Sequence, residues 1–262
     1  MTRRGLQDHH RRRLLWLGGI ALAYVAVSRL PDAVRRVFPS RFDFADIPGL
    51  PGFRRIARGD VSAGPPALIG LDTGPARPAG PAPDTLRADI CAHLFGAAPG
   101  PGPVPVAYFS DVRCPYCRVL TPLLLDRAAG VDPAIRLAWH ELPLLGETSV
   151  LAARAAIAAG AQGAETEFHA RLLGLSFVPS PAWLRRVAGE IGIDPDRLVT
   201  DMTAPWVDDR LAVSRGLADL FGFPGTPALV IGRTAVLGRI EAADLDRLIA
   251  LEASEAATAP CA

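Results

Sequence analysis

A run of strand-forming residues, Val104 to Phe109, leads within a few positions into Cys114-Pro-Tyr-Cys117. From Cys114 to about Ala129 the pattern is helical, with Val119, Leu120 and Leu123 to Leu125 supplying apolar positions. A second strand follows at Ile135 to Trp139. Two strands joined through a helix form a right-handed parallel crossover, which confines the chain to an α/β fold. It also sets two cysteines at the start of a helix that leaves a strand.

The remaining elements fit around that unit. Ser149 to about Leu173 is Ala-rich and helical, Pro181 to Ile191 starts on Ser180 as cap, and Pro205 to Phe221 forms another helix. Ala228–Ile231 and Thr234–Leu237, separated by Gly232-Arg233, form a hairpin, and a final helix runs from about Ala242 to Ala253. This order predicts a compact α/β domain in two pieces, 104–142 and 222–254, interrupted by a helical subdomain at 143–221. Residues 31–103 form a Pro/Gly-rich region outside that core. It holds turns at Ile47 to Phe53, a short strand at Ala67 to Leu71, and a short helix capped by Asp84 and running to about Phe95. The tail, 255–262, reads as disordered.

With 262 residues, half of them apolar, the chain can bury a sizeable core. The formal net charge is only +1, carried by arginine without lysine, and gives no case for nucleic-acid binding. At the N-terminus a basic tail, 1–13, precedes an apolar run from Leu14 to Val27, within a segment 14–30. Its length and arginine flanks fit a signal anchor or a signal peptide. Ala21-Leu22-Ala23 lies inside the run and no small-x-small cleavage site follows it, which favours an anchor. Either reading exports the rest of the chain.

Cys114 and Cys117 are close enough in sequence to share a disulfide. At a helix start the first thiol is exposed, and unpaired N–H groups and the helix dipole favour its thiolate. Arg113 and Arg118 add positive potential, and Pro115 fits the first turn, where its missing N–H has no partner to lose. Cys114 is then the nucleophile and Cys117 the resolving thiol, with Pro115 and Tyr116 completing the motif. A zinc site would need further Cys or His ligands. Cys91 and Cys261 are distant singles, and His93, His140 and His169 are isolated. His140-Glu141, just beyond the second strand, reads as a loop pair in contact with solvent. No metal and no cofactor beyond a redox-active Cys114–Cys117 disulfide is expected.

Gly225-Thr226-Pro227 stands immediately before the hairpin. A cis bond at Thr226–Pro227 would leave the Thr226 backbone free to pair with an extended substrate. Phe109-x-Asp111-x-x-Cys-Pro-x-Cys117, the following strand, the helical insertion and Gly-Thr-Pro227 together resemble the DsbA family of thioredoxin-fold thiol–disulfide oxidoreductases, over about Val104 to Leu251. The resemblance implies a thioredoxin-like fold with an inserted helical subdomain, Cys114 as nucleophile, Cys117 as resolving thiol, and Thr226 and Pro227 at the substrate-binding loop. One departure stands out. Many thioredoxin-like proteins carry a buried acid six positions before the first cysteine, where this chain has Tyr108.

The expected function is exchange of disulfides with cysteine-containing exported proteins, on the periplasmic side of the inner membrane. A membrane or soluble redox partner would regenerate the pair, and no nucleic acid takes part. Reductase or isomerase activity on the same fold, a redox-inert peptide-binding or chaperone module, and a glutathione-dependent enzyme of glutaredoxin type remain as alternatives.

Overall fold

The computed structural model describes residues 41–57, 59–63, 80–96, 102–174, 180–256 and 260–261. The expected signal anchor or signal peptide at 14–30 and the strand expected at 67–71 lie outside them. Among the described residues no helix is long and apolar enough to cross a membrane.

Strand β3, Val104–Ser110, is the hub of the sheet. It pairs in parallel with β4, Ile135–Glu141, and antiparallel with β5, Ala228–Ile231. β5 turns back into β6, Thr234–Leu237. Val106, Ala107, Tyr108 and Phe109 are all fully buried. A strand covered on both faces cannot alternate apolar with polar, and this one does not.

The sheet is wider than the sequence predicts. Residues 31–103, expected outside the core, supply β1, Ala45–Asp46, and β2, Arg54–Ala57. β2 pairs in parallel with β6, so the sheet order is β1-β2-β6-β5-β3-β4. Ile47, Leu50, Phe53 and Ile56 are buried, and Phe53 meets Phe221 edge-on. Arg54 reaches Glu252 at 2.7 Å and Glu255 at 2.8 Å, tying β2 to the C-terminal helix. From Phe44 onward the described residues accordingly make one compact unit.

The helix expected at 84–95 is two short ones, α1 at Pro83–Ala88 and α2 at Ile90–Phe95, broken at Asp89 with φ −136°. Ala82 takes the cap position, and Asp84 in the first turn instead pairs with Arg87 in the last. α3, Pro115–Ala128, carries the cysteine motif, and Pro122 within it has no N–H to donate. The Ala-rich stretch divides into α4, Glu147–Gly160, and α5, Glu165–Leu173, around Gly163 at φ +78°. α6, Pro181–Glu190, and α8, Pro205–Phe221, follow the sequence reading. α7, Pro195–Asp201, does not appear in it, although Asp194 caps it through the N–H groups of Asp196 and Arg197. α9, Ala242–Ser254, packs against β3 and β5.

The tail expected to be disordered is pinned where it is described. Cys261 is buried and joined to Cys91 by a disulfide. The two cysteines are distant singles only in sequence, and α2 brings Cys91 to the chain end.

His140 and Glu141 are not loop residues. β4 continues through both, and both are buried. His140 hydrogen-bonds the Leu94 carbonyl through Nε2 at 2.9 Å and Ser214 Oγ through Nδ1 at 3.2 Å. Glu141 Oε1 meets His169 Nδ1 at 2.6 Å, and His169 Nε2 meets Ser110 Oγ at 3.1 Å. Buried polar groups must find partners, and this network supplies them across β3, β4 and α5.

Candidate active site

The end of β3 delivers the chain to Asp111, whose buried carboxylate organises the turn. It accepts hydrogen bonds from the N–H groups of Arg113 (2.8 Å), Leu144 (2.7 Å) and Leu145 (3.0 Å) and from Ser149 Oγ (2.7 Å). The Asp111 carbonyl accepts from Cys114 N–H at 2.9 Å. One side chain thus binds the strand end, the cysteine turn and the start of α4 together.

Cys114 is the N-cap of α3 and Pro115 its first residue. The Cys114 sulfur accepts from Cys117 N–H at 3.4 Å, the contact expected of a helix cap. Its own thiol points to the Thr226 carbonyl oxygen at 3.2 Å. The Thr226–Pro227 bond is cis. Thr226 and Pro227 are buried beside Cys114, so the loop before β5 and the start of α3 meet as the resemblance implies. Pro115 is exposed and Tyr116 half-buried.

Two expectations need correction. Cys114, predicted to be exposed, has 0% exposure. Ser62 lies against the same loop: its N–H donates to Thr226 O at 2.7 Å, and Thr226 N–H donates to Ser62 O at 2.8 Å. The arginines are not what favours the thiolate. The Cys114 pKa is lowered to about 5, first by the hydrogen bond with the Cys117 side chain. Burial opposes the shift, while the Ser62 and Thr226 side chains and the Cys117 backbone N–H assist it. Arg113 is instead engaged with Thr148 Oγ1 at 2.7 Å.

Cys117 is the reverse case. Burial pushes its pKa well above the ordinary thiol value, and so does the hydrogen bond that lowers Cys114. The inner thiol keeps its proton and shares it with the outer sulfur. Both cysteines are free thiols in this structure, so it represents the reduced pair. Tyr108, where an acid was the familiar occupant, is fully buried with its hydroxyl 3.0 Å from Thr121 Oγ1 and 3.4 Å from the Cys117 carbonyl oxygen. Burial raises its pKa well above the phenol value, so it remains a neutral hydrogen-bonding group.

Sequence reasoning misses Ser62 altogether. No local signal marks it, because its partner lies in another segment far along the chain. Asp111 is visible in sequence, but its set of donors is not, since they come from α4 and the loop before it.

A parallel crossover carrying a CxxC motif at the N-terminus of its helix, opposite a cis-proline loop, is the arrangement of a thioredoxin-fold thiol–disulfide oxidoreductase. The sequence over residues 105–250 matches the DSBA-like thioredoxin domain. A thioredoxin-like oxidoreductase from Silicibacter pomeroyi shares 37% identity with a TM-score of 0.54, over 63% of this chain and 96% of that one. The thiol-disulfide exchange protein alpha-DsbA2 from Wolbachia pipientis shares the fold, with 21% identity and a TM-score of 0.56 over 64% of this chain and 95% of that one. The Na(+)/H(+) antiporter NhaA 3 of Salinispora tropica is 33% identical over 141 residues, which is 53% of this chain. The matched segment spans only 21% of that antiporter's length. The chain belongs to the DsbA-like family of thioredoxin-fold thiol–disulfide oxidoreductases.

Proposed function

We propose that this protein is an exported oxidant of protein thiols, with Cys114 as nucleophile and Cys117 as resolving thiol. The observation that carries the reading is the asymmetry of the pair: Cys114 is brought to about 5 and Cys117 is driven up. Stabilising the Cys114 thiolate stabilises the reduced form, which makes the disulfide form the stronger oxidant and Cys114 the better leaving group.

In the oxidising direction a substrate thiolate attacks Cys114 of the Cys114–Cys117 disulfide, and Cys117 leaves and takes up a proton. A second substrate thiolate attacks the substrate sulfur of this mixed disulfide, and Cys114 leaves as thiolate. The substrate loses two electrons and gains a disulfide; the enzyme pair gains both electrons. A membrane-bound or soluble redox partner then reoxidises the pair. Thr226 and Pro227 receive the substrate backbone beside Cys114. The reaction needs no cofactor besides the cysteine pair.

Export is supported by the arginine-flanked apolar run at 14–27 and by the Cys91–Cys261 disulfide, a bond that persists in oxidising compartments. The basic residues 1–13 would stay in the cytoplasm and the remainder would act on the periplasmic side, held to the inner membrane by the uncleaved segment.

Equilibration of the full-length protein with a glutathione redox buffer tests the reading. The expected potential lies nearer about −120 mV than about −270 mV, the range that separates strong oxidants from reductants. A value near the lower figure would make the protein a reductant. Cys117→Ala is expected to accumulate mixed disulfides through Cys114, whose thiolate attacks a polypeptide disulfide and expels the other sulfur as a thiolate, with no Cys117 thiol left to resolve the adduct.

A further inference from the structure

We propose that Asp60–Ser62 occupies the place of a substrate strand, with Ser62 standing where the substrate's cysteine is received. The inference rests on the exchange reading above and deepens it, since it specifies how the partner polypeptide lies.

Ser62 and Thr226 exchange both backbone hydrogen bonds, at 2.7 and 2.8 Å, and form an isolated antiparallel bridge. In such a pair the two side chains emerge on the same face of the ladder. The Thr226 carbonyl that accepts from Ser62 also accepts from the Cys114 thiol at 3.2 Å. Residue 62 is therefore held against the sulfur by the backbone groups that a bound peptide would use. The Ser62 hydroxyl is among the groups that favour the Cys114 thiolate.

Neighbouring contacts extend the match over a short strand. Arg239 N–H donates to the Asp60 carbonyl at 3.1 Å, two residues before Ser62. A Cβ at Gly225 would come within 2.6 Å of the Ser62 carbonyl oxygen, so a side chain there would force the strand away. At Gly59, φ is +62° and a Cβ would lie 1.9 Å from the Arg239 carbonyl oxygen. Glycine at both positions permits the close approach of backbone to backbone.

Serine and cysteine differ only in oxygen for sulfur. Serine in this register can hydrogen-bond the nucleophile but cannot form a disulfide with it. The occupant is thus unreactive, and a bridge of two hydrogen bonds is small enough for an incoming peptide to replace. The substrate implied is an extended segment, antiparallel to Thr226, with its cysteine in the register of Ser62.

Ser62→Cys in a full-length Cys117→Ala background tests this, with oxidised glutathione as oxidant. Cys114 attacks the glutathione disulfide and releases one glutathione thiol. The thiol introduced at position 62 then displaces the second, leaving a 62–114 disulfide and two reduced glutathiones. Peptide mapping is expected to show nearly complete 62–114 linkage, and at least tenfold less for Val61→Cys or Ala63→Cys, since neighbouring strand residues point to opposite faces. In the wild-type background, Ser62→Pro removes the N–H that bonds Thr226, and Cys114 alkylation is expected to speed up about 5- to 10-fold. Linkage that is equal at 61, 62 and 63, or absent at 62 while Cys114 still takes up glutathione, would overturn the inference and leave the exchange reading standing. Failure of Cys114 to take up glutathione even when Ser62→Pro is combined with Cys117→Ala would overturn both.

Discussion

The Tyr108 hydroxyl lies 3.4 Å from the Cys117 carbonyl oxygen, in the interior and one strand residue from the core aromatic Phe109. The same hydroxyl meets Thr121 Oγ1 at 3.0 Å, one helical turn further along α3. Where a buried carboxylic acid would exchange protons near neutral pH, a phenol with a raised pKa holds its proton and acts by hydrogen bonding. Its interaction with the Cys117 side chain partly offsets the burial that keeps that thiol protonated.

Tyr108→Phe keeps the ring and removes the hydroxyl. It is expected to cost about 1 kcal/mol, the ordinary net value of a buried hydrogen bond. It should also raise the Cys117 pKa further and slow the release of mixed disulfides, while Cys114 alkylation rates change little. Urea unfolding and single-turnover resolution kinetics check the two effects separately. Unchanged resolution would assign Tyr108 to packing alone.

Alkylation should distinguish the two thiols by pH. With the Cys114 pKa lowered to about 5, its labelling by iodoacetamide is expected to reach its plateau above about pH 6. Cys117 should stay unlabelled in the native protein throughout the neutral range, because burial raises its pKa. Mass mapping of singly labelled protein between pH 4 and 8 reads this directly; equal labelling of both cysteines would refute the assignment of nucleophile.

His140 makes stability depend on pH. Burial lowers its pKa to about 4, against 6.5 for an unperturbed histidine, so the unfolded chain takes up the proton first as pH falls. The contribution is whole above pH 6.5, declines between there and about 4, and amounts to roughly 3 kcal/mol in all. Glu165 works in the opposite sense over a similar window: burial raises its pKa to about 7, so protonation favours the folded state as pH falls. The comparison must therefore be between proteins. His140→Gln retains a donor for Leu94 and an acceptor for Ser214, and is expected to lose less stability than wild type between pH 7 and 4.5 in urea titrations.

The Cys91–Cys261 bond closes a sequence separation of 170 residues. In the chain-entropy picture a loop of this size gives a disulfide about 2–5 kcal/mol of stabilisation. Cys261→Ser is expected to lower the unfolding free energy within that range, with Cys114 alkylation intact, because the bond lies outside the cysteine motif. A loss of Cys114 reactivity would show that the C-terminal pin also shapes the site.

The fold around Cys114 is legible in sequence because its determinants are local. Apolar β-formers from Val104 onward, Pro115 at a helix start, Ser180-Pro181 and the Gly232-Arg233 turn each specify their element over a few residues. The cysteine spacing marks the candidate redox pair for the same reason. What the tertiary structure alone decides depends on contacts remote in the chain. Pairing of β2 with β6 recruits the Pro/Gly-rich region into the sheet, and neither strand carries a local mark of the other. The Cys91–Cys261 partnership, the burial of His140 and Glu141 at the end of β4, and the four donors on Asp111 have the same origin. So does the pairing of Ser62 with Thr226: a backbone bridge uses groups that every residue but proline possesses, and no sequence pattern can announce it. Chain order and residue type determine where the two cysteines of the motif stand; the folded chain determines what lies against them.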